Sequence, residues 1–386
     1  MKILHVISGI DAVNGGPSVA LAGMTAAQAR TGAKVRVVSA YRRPEALEDA
    51  RAFEAAGVGI RLVGPVSSKL RGYHKDLTSV IREEIRQSDV VHIHAVWEPT
   101  QITAARSATQ LKKPYVLTPH GMLSTWSMSR RPIQKMLLRL AGVNAMVRNA
   151  RLINVTTPIE LEQTRAVFPN ASYALEPYGL ALDEFRSLPR RGYIRQAYPQ
   201  LVGRKVLVHL GRIAEQKGLH VLLPAFAKLI DQYPDWRLVL VGPEGGAYER
   251  DRREQAKQLG IENQIIWAGP SYGADRVAAL VDSDLFVLAS HHENFAIAVA
   301  EAMAAKLAVV VSDKVMLHPT ITNANAGGVC EQTPDAVAAE LSKWMSDADL
   351  RKQAGENGRE LVLREFDWDV IAARWLERYR QLIASP

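Results

Sequence analysis

Two series of short apolar runs, each run followed by a stretch of helical pattern, constrain this 386-residue chain most strongly. The first series falls at residues 3–8, 35–40, 60–63, 90–95, 115–120 and 152–157. The second falls at 206–211, 238–242, 265–269, 285–290 and 309–312. Strands that alternate with helices must be joined by crossovers, so each series predicts a parallel sheet covered by helices. The passages Pro177-Tyr178-Gly179 and Leu188-Pro189-Arg190-Arg191-Gly192 break the rhythm and read as a linker. The expectation is an N-terminal α/β domain at 1–190, a second at 191–366, and a terminal segment, 367–386. In that segment Trp368, Ile371, Trp375, Tyr379 and Leu382 recur at helical spacing, which predicts a helix packing back toward the N-terminal domain.

Composition narrows the partners. No run approaches the roughly 20 apolar residues that span a bilayer, and the opening residues read as a buried strand rather than a signal segment. A single cysteine, Cys330, cannot form an internal disulfide and fits a cytoplasmic protein. The net charge of +8 is unevenly placed: residues 1–180 carry 23 Lys and Arg against 13 Asp and Glu. Between Glu98 and Glu160 lie 61 residues without one acid, among them Arg130, Arg131, Lys135 and Arg139 interleaved with Trp126, Ile133, Met136, Leu137, Leu140 and Val143. That mixture predicts an interfacial basic helix on an anionic membrane surface, or a core helix with a solvated basic face. Nucleic acid is the weaker candidate partner, because the basic region lacks any zinc, helix-turn-helix or aromatic-basic signature.

Two motifs carry chemistry. Leu210-Gly211-Arg212-Ile213-Ala214-Glu215-Gln216-Lys217-Gly218 follows an apolar strand and precedes a helical pattern at 219–230. Glycines there let a backbone approach a ligand, helix-start amides attract anions, and Arg212 and Lys217 add full charges suited to a diphosphate. A solvated basic loop is the bland alternative. The second motif, Glu293-Asn294-Phe295-Ala296-Ile297 followed by Glu301, predicts a helix starting near residue 294, with one carboxylate at its mouth and one deeper among small residues.

Gly211-Arg212, Gln216-Lys217-Gly218 and two glutamates with seven residues between them resemble the retaining glycosyltransferases of group 1, or family four, of the bacterial surface-polysaccharide type. Gly15-Gly16-Pro17 after the first strand, His120-Gly121 after the fifth and Pro177-Tyr178-Gly179 extend the resemblance along nearly the whole chain. It implies an α/β fold of two Rossmann-like domains facing across a cleft, the GT-B fold, with acceptor bound by the first and nucleotide-sugar by the second. Arg212 and Lys217 would neutralise the donor diphosphate, Glu293 would sit near the transferred sugar, and His120 would contact the reacting sugar or acceptor. Gly15, Gly16, Gly211, Asn294, Phe295, Ala296 and Ile297 would bind the donor, and Glu301 its ribose hydroxyls. The nucleotide-sugar, GDP- or UDP-linked, is a substrate; no metal or other cofactor is implied. The acceptor would be a glycan or a polyprenyl-diphosphate-linked glycan in exopolysaccharide or surface-polysaccharide synthesis, with the enzyme peripheral on the inner leaflet.

The sequence departs from that pattern where Ala296 and Lys306 replace frequent glycines, Ala308 a proline and Tyr178 an asparagine. A sugar-nucleotide epimerase of the same fold is the rival reading. A dinucleotide oxidoreductase is excluded by the missing Gly-x-Gly-x-x-Gly turn.

Overall fold

The computed structural model describes residues 1–10, 16–41, 46–66, 74–243 and 245–384. The chain forms two compact units, residues 1–179 with 368–386, and residues 180–367. The division therefore falls at Gly179, ahead of the Pro/Arg-rich passage, and residues 180–190 belong to the second unit.

In the first unit, β1 (Lys2–Ile7), β2 (Lys34–Ala40), β3 (Gly59–Val63), β4 (Val90–His94), β5 (Tyr115–Thr118), β6 (Leu152–Val155) and β7 (Tyr173–Leu175) pair in the order β3-β2-β1-β4-β5-β6-β7. Every pairing is parallel. In the second, β8 (Lys205–Leu210), β9 (Trp236–Val241), β10 (Ile265–Gly269), β11 (Leu285–Leu288), β12 (Val309–Ser312) and β13 (Gly327–Cys330) pair in the order β10-β9-β8-β11-β12-β13, again all parallel. Both are Rossmann-like sheets. Strand order reverses direction between β1 and β4 and between β8 and β11, and ligands of such sheets bind beyond the carboxyl ends of the strands at these switch points.

The residues of β4, β5, β11 and β12 are buried throughout, as strands covered on both faces must be. Strands β7 and β13 escaped the apolar pattern. The first has three residues, and the second opens on Gly327-Gly328, where a Cβ at 327 would lie 1.8 Å from Val309 O on the neighbouring strand.

The helix Trp368–Ala384 completes the first unit. Its buried face is Trp368, Ile371, Ala372, Trp375, Leu376 and Tyr379, and the Tyr379 hydroxyl reaches His92 Nδ1 at 2.5 Å. Arg374 and Arg378 from the same helix donate to the two oxygens of Glu176, at 2.8 and 2.7 Å.

Candidate active site

The loops that leave β8 and β11 are neighbours because these strands pair at the switch point of the second sheet. Gln216 Nε2 donates to His292 O at 2.7 Å and His291 N donates back to Gln216 O at 2.8 Å, so the two loops are laced into one surface. Lys217 ends the 3-10 turn Glu215–Lys217, and Gly218 follows with φ 70° to open the helix Leu219–Ala227. A side chain at 218 would place its Cβ 1.9 Å from Ala289 O, on the other loop. Only glycine fits both the left-handed backbone and the close approach.

This lacing brings Lys217 Nζ to 2.5 Å from Glu293 Oε1. Ser290 Oγ donates to the same oxygen at 3.3 Å. Arg212 is exposed, and its guanidinium has no ion-pair partner among the described residues. These loops therefore hold one cation balanced by a carboxylate and one without an ion-pair partner among the described residues.

Glu293 does not begin a helix. Residues 293–296 form a loop, with Glu293 bridged to Val315 beside β12, and the helix runs Ile297–Ala304. Ala296 caps it at φ 57°, ψ 68°, a left-handed conformation costing an alanine about 1–2 kcal/mol. Lys306, the other position where the resembling family has glycine, has φ 67°. Both departures thus retain the backbone that a glycine would adopt. Phe295 faces inward, its ring edge-on to Phe366 at 5.1 Å.

Glu301 is buried within the helix, 7% exposed. Arg276, on the helix Gly273–Val281, lies 3.2 Å from Glu301 Oε1 and 2.7 Å from Glu184 Oε2. Burial raises the Glu301 carboxyl to about 7, with Arg276 opposing the rise and Glu184 reinforcing it. Arg276 is absent from the sequence-derived site because no motif marks it. It stands 25 residues before Glu301, and only the packing of two helices joins them.

In the first unit Gly16 is the first residue of the helix Gly16–Arg30, while Gly15 lies outside the described residues. His120 follows β5 with φ 57°. Glu160 braces this turn by accepting from Gly121 N at 2.5 Å and from Thr156 N and Oγ1 at 2.8 and 2.9 Å. His120 Nε2 meets His94 Nδ1 at 3.1 Å and its Nδ1 meets the Tyr178 hydroxyl, so both ring nitrogens are engaged. Burial lowers its imidazole to about 3, which keeps it neutral.

His5, His92 and His94 lie close enough for a shared metal to be considered. Their ring planes lie within 25° of one another, with centroids 4.4–5.3 Å apart, and all six nitrogens have hydrogen-bond partners. The ring nitrogens are thus already spent on hydrogen bonds, His5 Nδ1 to His94 Nε2 at 2.9 Å among them, so the group is a hydrogen-bonded cluster.

The basic segment is not one helix. It is Thr125–Ser129, Pro132–Leu138, a π-helical turn Arg139–Val143 and Asn144–Asn149, broken at Arg131 with φ 53° and at Gly142. Several of its charges are held by neighbours. Arg130 lies over Trp126 at 4.3 Å, Lys135 over Trp97 at 5.1 Å and Arg139 over Phe168 at 5.5 Å. Lys135 also donates to Ser127 Oγ at 3.0 Å. Ile133, Met136, Leu137 and Leu140 are exposed to 72, 55, 59 and 76%, whereas Val143, Met146 and Val147 are buried.

Comparison with known proteins agrees with this geometry. The model of the group 1 glycosyl transferases matches residues 191–361, and that of the glycosyl transferase 4-like domain matches residues 15–179. A phosphatidyl-myo-inositol mannosyltransferase of Mycolicibacterium smegmatis is 30% identical over 303 residues, covering 75% of this chain and 70% of that protein. The chain belongs to the group 1 glycosyl transferases. It is a nucleotide-sugar-dependent glycosyltransferase of a retaining family. A GDP-mannose:cellobiosyl-diphosphopolyprenol alpha-mannosyltransferase of Xanthomonas campestris is 24% identical, over 78% of this chain and 76% of its own. Among solved structures, Anabaena HepE in complex with UDP superposes with a TM-score of 0.81 at 18% identity, over 99% of this chain and 100% of that one, which shows the shared GT-B fold.

Proposed function

We propose that this glycosyltransferase moves a sugar, with retention, from a GDP- or UDP-sugar to a hydroxyl of a glycan or lipid-linked acceptor in surface-polysaccharide or exopolysaccharide synthesis. The observation that carries the donor side is the laced pair of loops at the second switch point, which presents Arg212, Lys217 and the glycine-opened backbone on one surface. These groups stabilise the charge that grows on a departing diphosphate, and that phosphate takes the acceptor proton during same-face attack. Glu301 accepts from ribose hydroxyls once Arg276 shares it, and Glu293 holds Lys217 in place near the transferred sugar. In the first unit, His120 and the Tyr178 hydroxyl that caps it handle the sugar or acceptor. The relatives named for a diphosphopolyprenol and for a phosphatidylinositol favour a lipid-linked acceptor.

Calorimetry with UDP and with GDP tests the donor assignment. Ribose hydroxyls donate, so they prefer the ionised Glu301, whose carboxyl holds its proton up to about pH 7. Affinity for the bound nucleotide should fall about tenfold between pH 8 and pH 6. In Glu301→Gln the affinity should be low and independent of pH, whereas Glu293→Gln should slow turnover and leave nucleotide affinity close to wild type. Equal losses of affinity in the two variants contradict this division of labour.

The exposed Ile133, Met136, Leu137 and Leu140 beside Arg130 and Arg131 support a peripheral place on an anionic leaflet. No described helix is long and apolar enough to cross a membrane. Each basic residue near such a surface contributes about 1 kcal/mol, and the apolar side chains add insertion. Sedimentation with liposomes should show binding that requires anionic lipid at low salt. It should weaken when Arg130, Arg131, Lys135 and Arg139 are replaced by Gln. Unchanged binding in that variant points to a soluble acceptor instead.

A further inference from the structure

A line of buried polar side chains threads the first unit. Gln28 Oε1 lies 2.8 Å from His5 Nε2, and His5 Nδ1 lies 2.9 Å from His94 Nε2. His94 Nδ1 lies 3.1 Å from His120 Nε2, and His120 Nδ1 meets the Tyr178 hydroxyl. The helix Gly16–Arg30 supplies Gln28, β1 supplies His5 and β4 supplies His94, so the sheet register itself sets the spacing. Burial lowers His5 to about 4 and His94 well below the usual imidazole value, so the rings are neutral at physiological pH.

A neutral imidazole has one N–H and one lone pair, so the proton on each ring dictates the proton on the next. With Gln28 Oε1 accepting, His5, His94 and His120 all carry their proton on Nε2, and the Tyr178 hydroxyl donates inward to His120 Nδ1. Turning one ring alone sets two N–H groups or two lone pairs against each other in a buried contact, at a cost of about 1–3 kcal/mol. Inward donation commits the one Tyr178 proton to His120, so in any further hydrogen bond the phenol oxygen accepts. A cavity of about 20 Å³, lined by Thr118, His120, Asn154 and Tyr178 among others, is roughly the size of one water.

We propose that Gln28, His5 and His94 are positioning residues that lock His120 as the Nε2–H tautomer and so make the Tyr178 hydroxyl an acceptor for a ligand hydroxyl. The identity of that hydroxyl, on the transferred sugar or its acceptor, rests on the function proposed above. The tautomer lock does not.

Nitrogen NMR of protein labelled at histidine separates the two. His120, assigned by its loss in His120→Asn, should show one protonated and one bare nitrogen between pH 6 and 8. Gln28→Met removes the anchor three hydrogen bonds away, and the two His120 nitrogen signals should then converge as both tautomers populate. His94→Phe should do the same directly, and serves if Gln28→Met does not fold. An unchanged His120 spectrum in either folded variant overturns the lock. The second readout is release of UDP from UDP-glucose and of GDP from GDP-mannose. Tyr178→Phe and Gln28→Met should each lower turnover ~10-fold at unchanged KM, the scale of one neutral hydrogen bond. A shifted tautomer with unchanged turnover overturns the role in transfer. A wild-type protein that releases neither nucleotide counts against the proposed donors, and the NMR result then decides the lock by itself.

Discussion

Arg212→Ala and Lys217→Ala should each lower turnover by ~100-fold or more, the scale of a lost electrostatic donor to a developing anion. The two losses should differ in kind. Arg212 is exposed with no ion-pair partner among the described residues, so its removal subtracts one charge and strands nothing. Lys217 is bonded to Glu293 at 2.5 Å, in a pair whose side chains are 16 and 13% exposed. Its removal leaves a half-buried carboxylate facing the incoming diphosphate. Lys217→Ala combined with Glu293→Gln should therefore recover part of the loss, while Arg212→Ala combined with Glu293→Gln should not. Coupling of this sort is expected only between residues that share a contact. Steady-state kinetics on the two double variants measures it, and near-normal activity in both single variants rejects the assignment of the diphosphate to these loops.

What the sequence made legible follows from which physics is local. The strands of both sheets stand out because burial on two faces demands an unbroken apolar run. Strands β7 and β13 do not, because a three-residue edge and a Gly-Gly strand are defined by the neighbour they pair with. The motifs that hold Arg212, Lys217 and Glu293 stand out because the loops after β8 and β11 each carry a contiguous run, but the contact of Lys217 with Glu293 comes from the pairing of those strands. The start of the helix at Ile297 was misread by three residues, since Ala296 in a left-handed conformation gives no turn signal that a glycine would have given. Arg276 and the line from Gln28 to Tyr178 were invisible, because each link joins residues from different elements. The basic segment shows the opposite failure. Its composition was read as one amphipathic helix, but the breaks at Arg131 and Gly142 fold it back so that Lys135 and Arg139 lie on aromatic rings while the apolar side chains face outward.

The terminal helix makes the largest expected stability effect. Glu176 is 3% exposed at its side chain, and Arg374 and Arg378 are the cations that compensate it. Taking the Glu176 carboxylate out of water costs several kcal/mol, which is offset here because each of its oxygens is bonded to a part-exposed arginine. Arg374→Met with Arg378→Met leaves that carboxylate buried and uncompensated, and should destabilise the first unit by about 3–5 kcal/mol. Adding Glu176→Gln removes the stranded charge and should restore most of the loss, because the apolar stems of the two methionines still cover the helix. The surface pair between Asp369 on this helix and Arg30 at the end of the helix Gly16–Arg30 is the internal control: both side chains are 56% exposed, so Asp369→Asn should cost less than about 1 kcal/mol. Urea unfolding followed by the fluorescence of the chain's tryptophans, of which Trp368 and Trp375 lie on this helix, reads all three. If the double methionine variant is no less stable than Asp369→Asn, the helix is held by its apolar face alone and the Glu176 clasp contributes nothing to its docking.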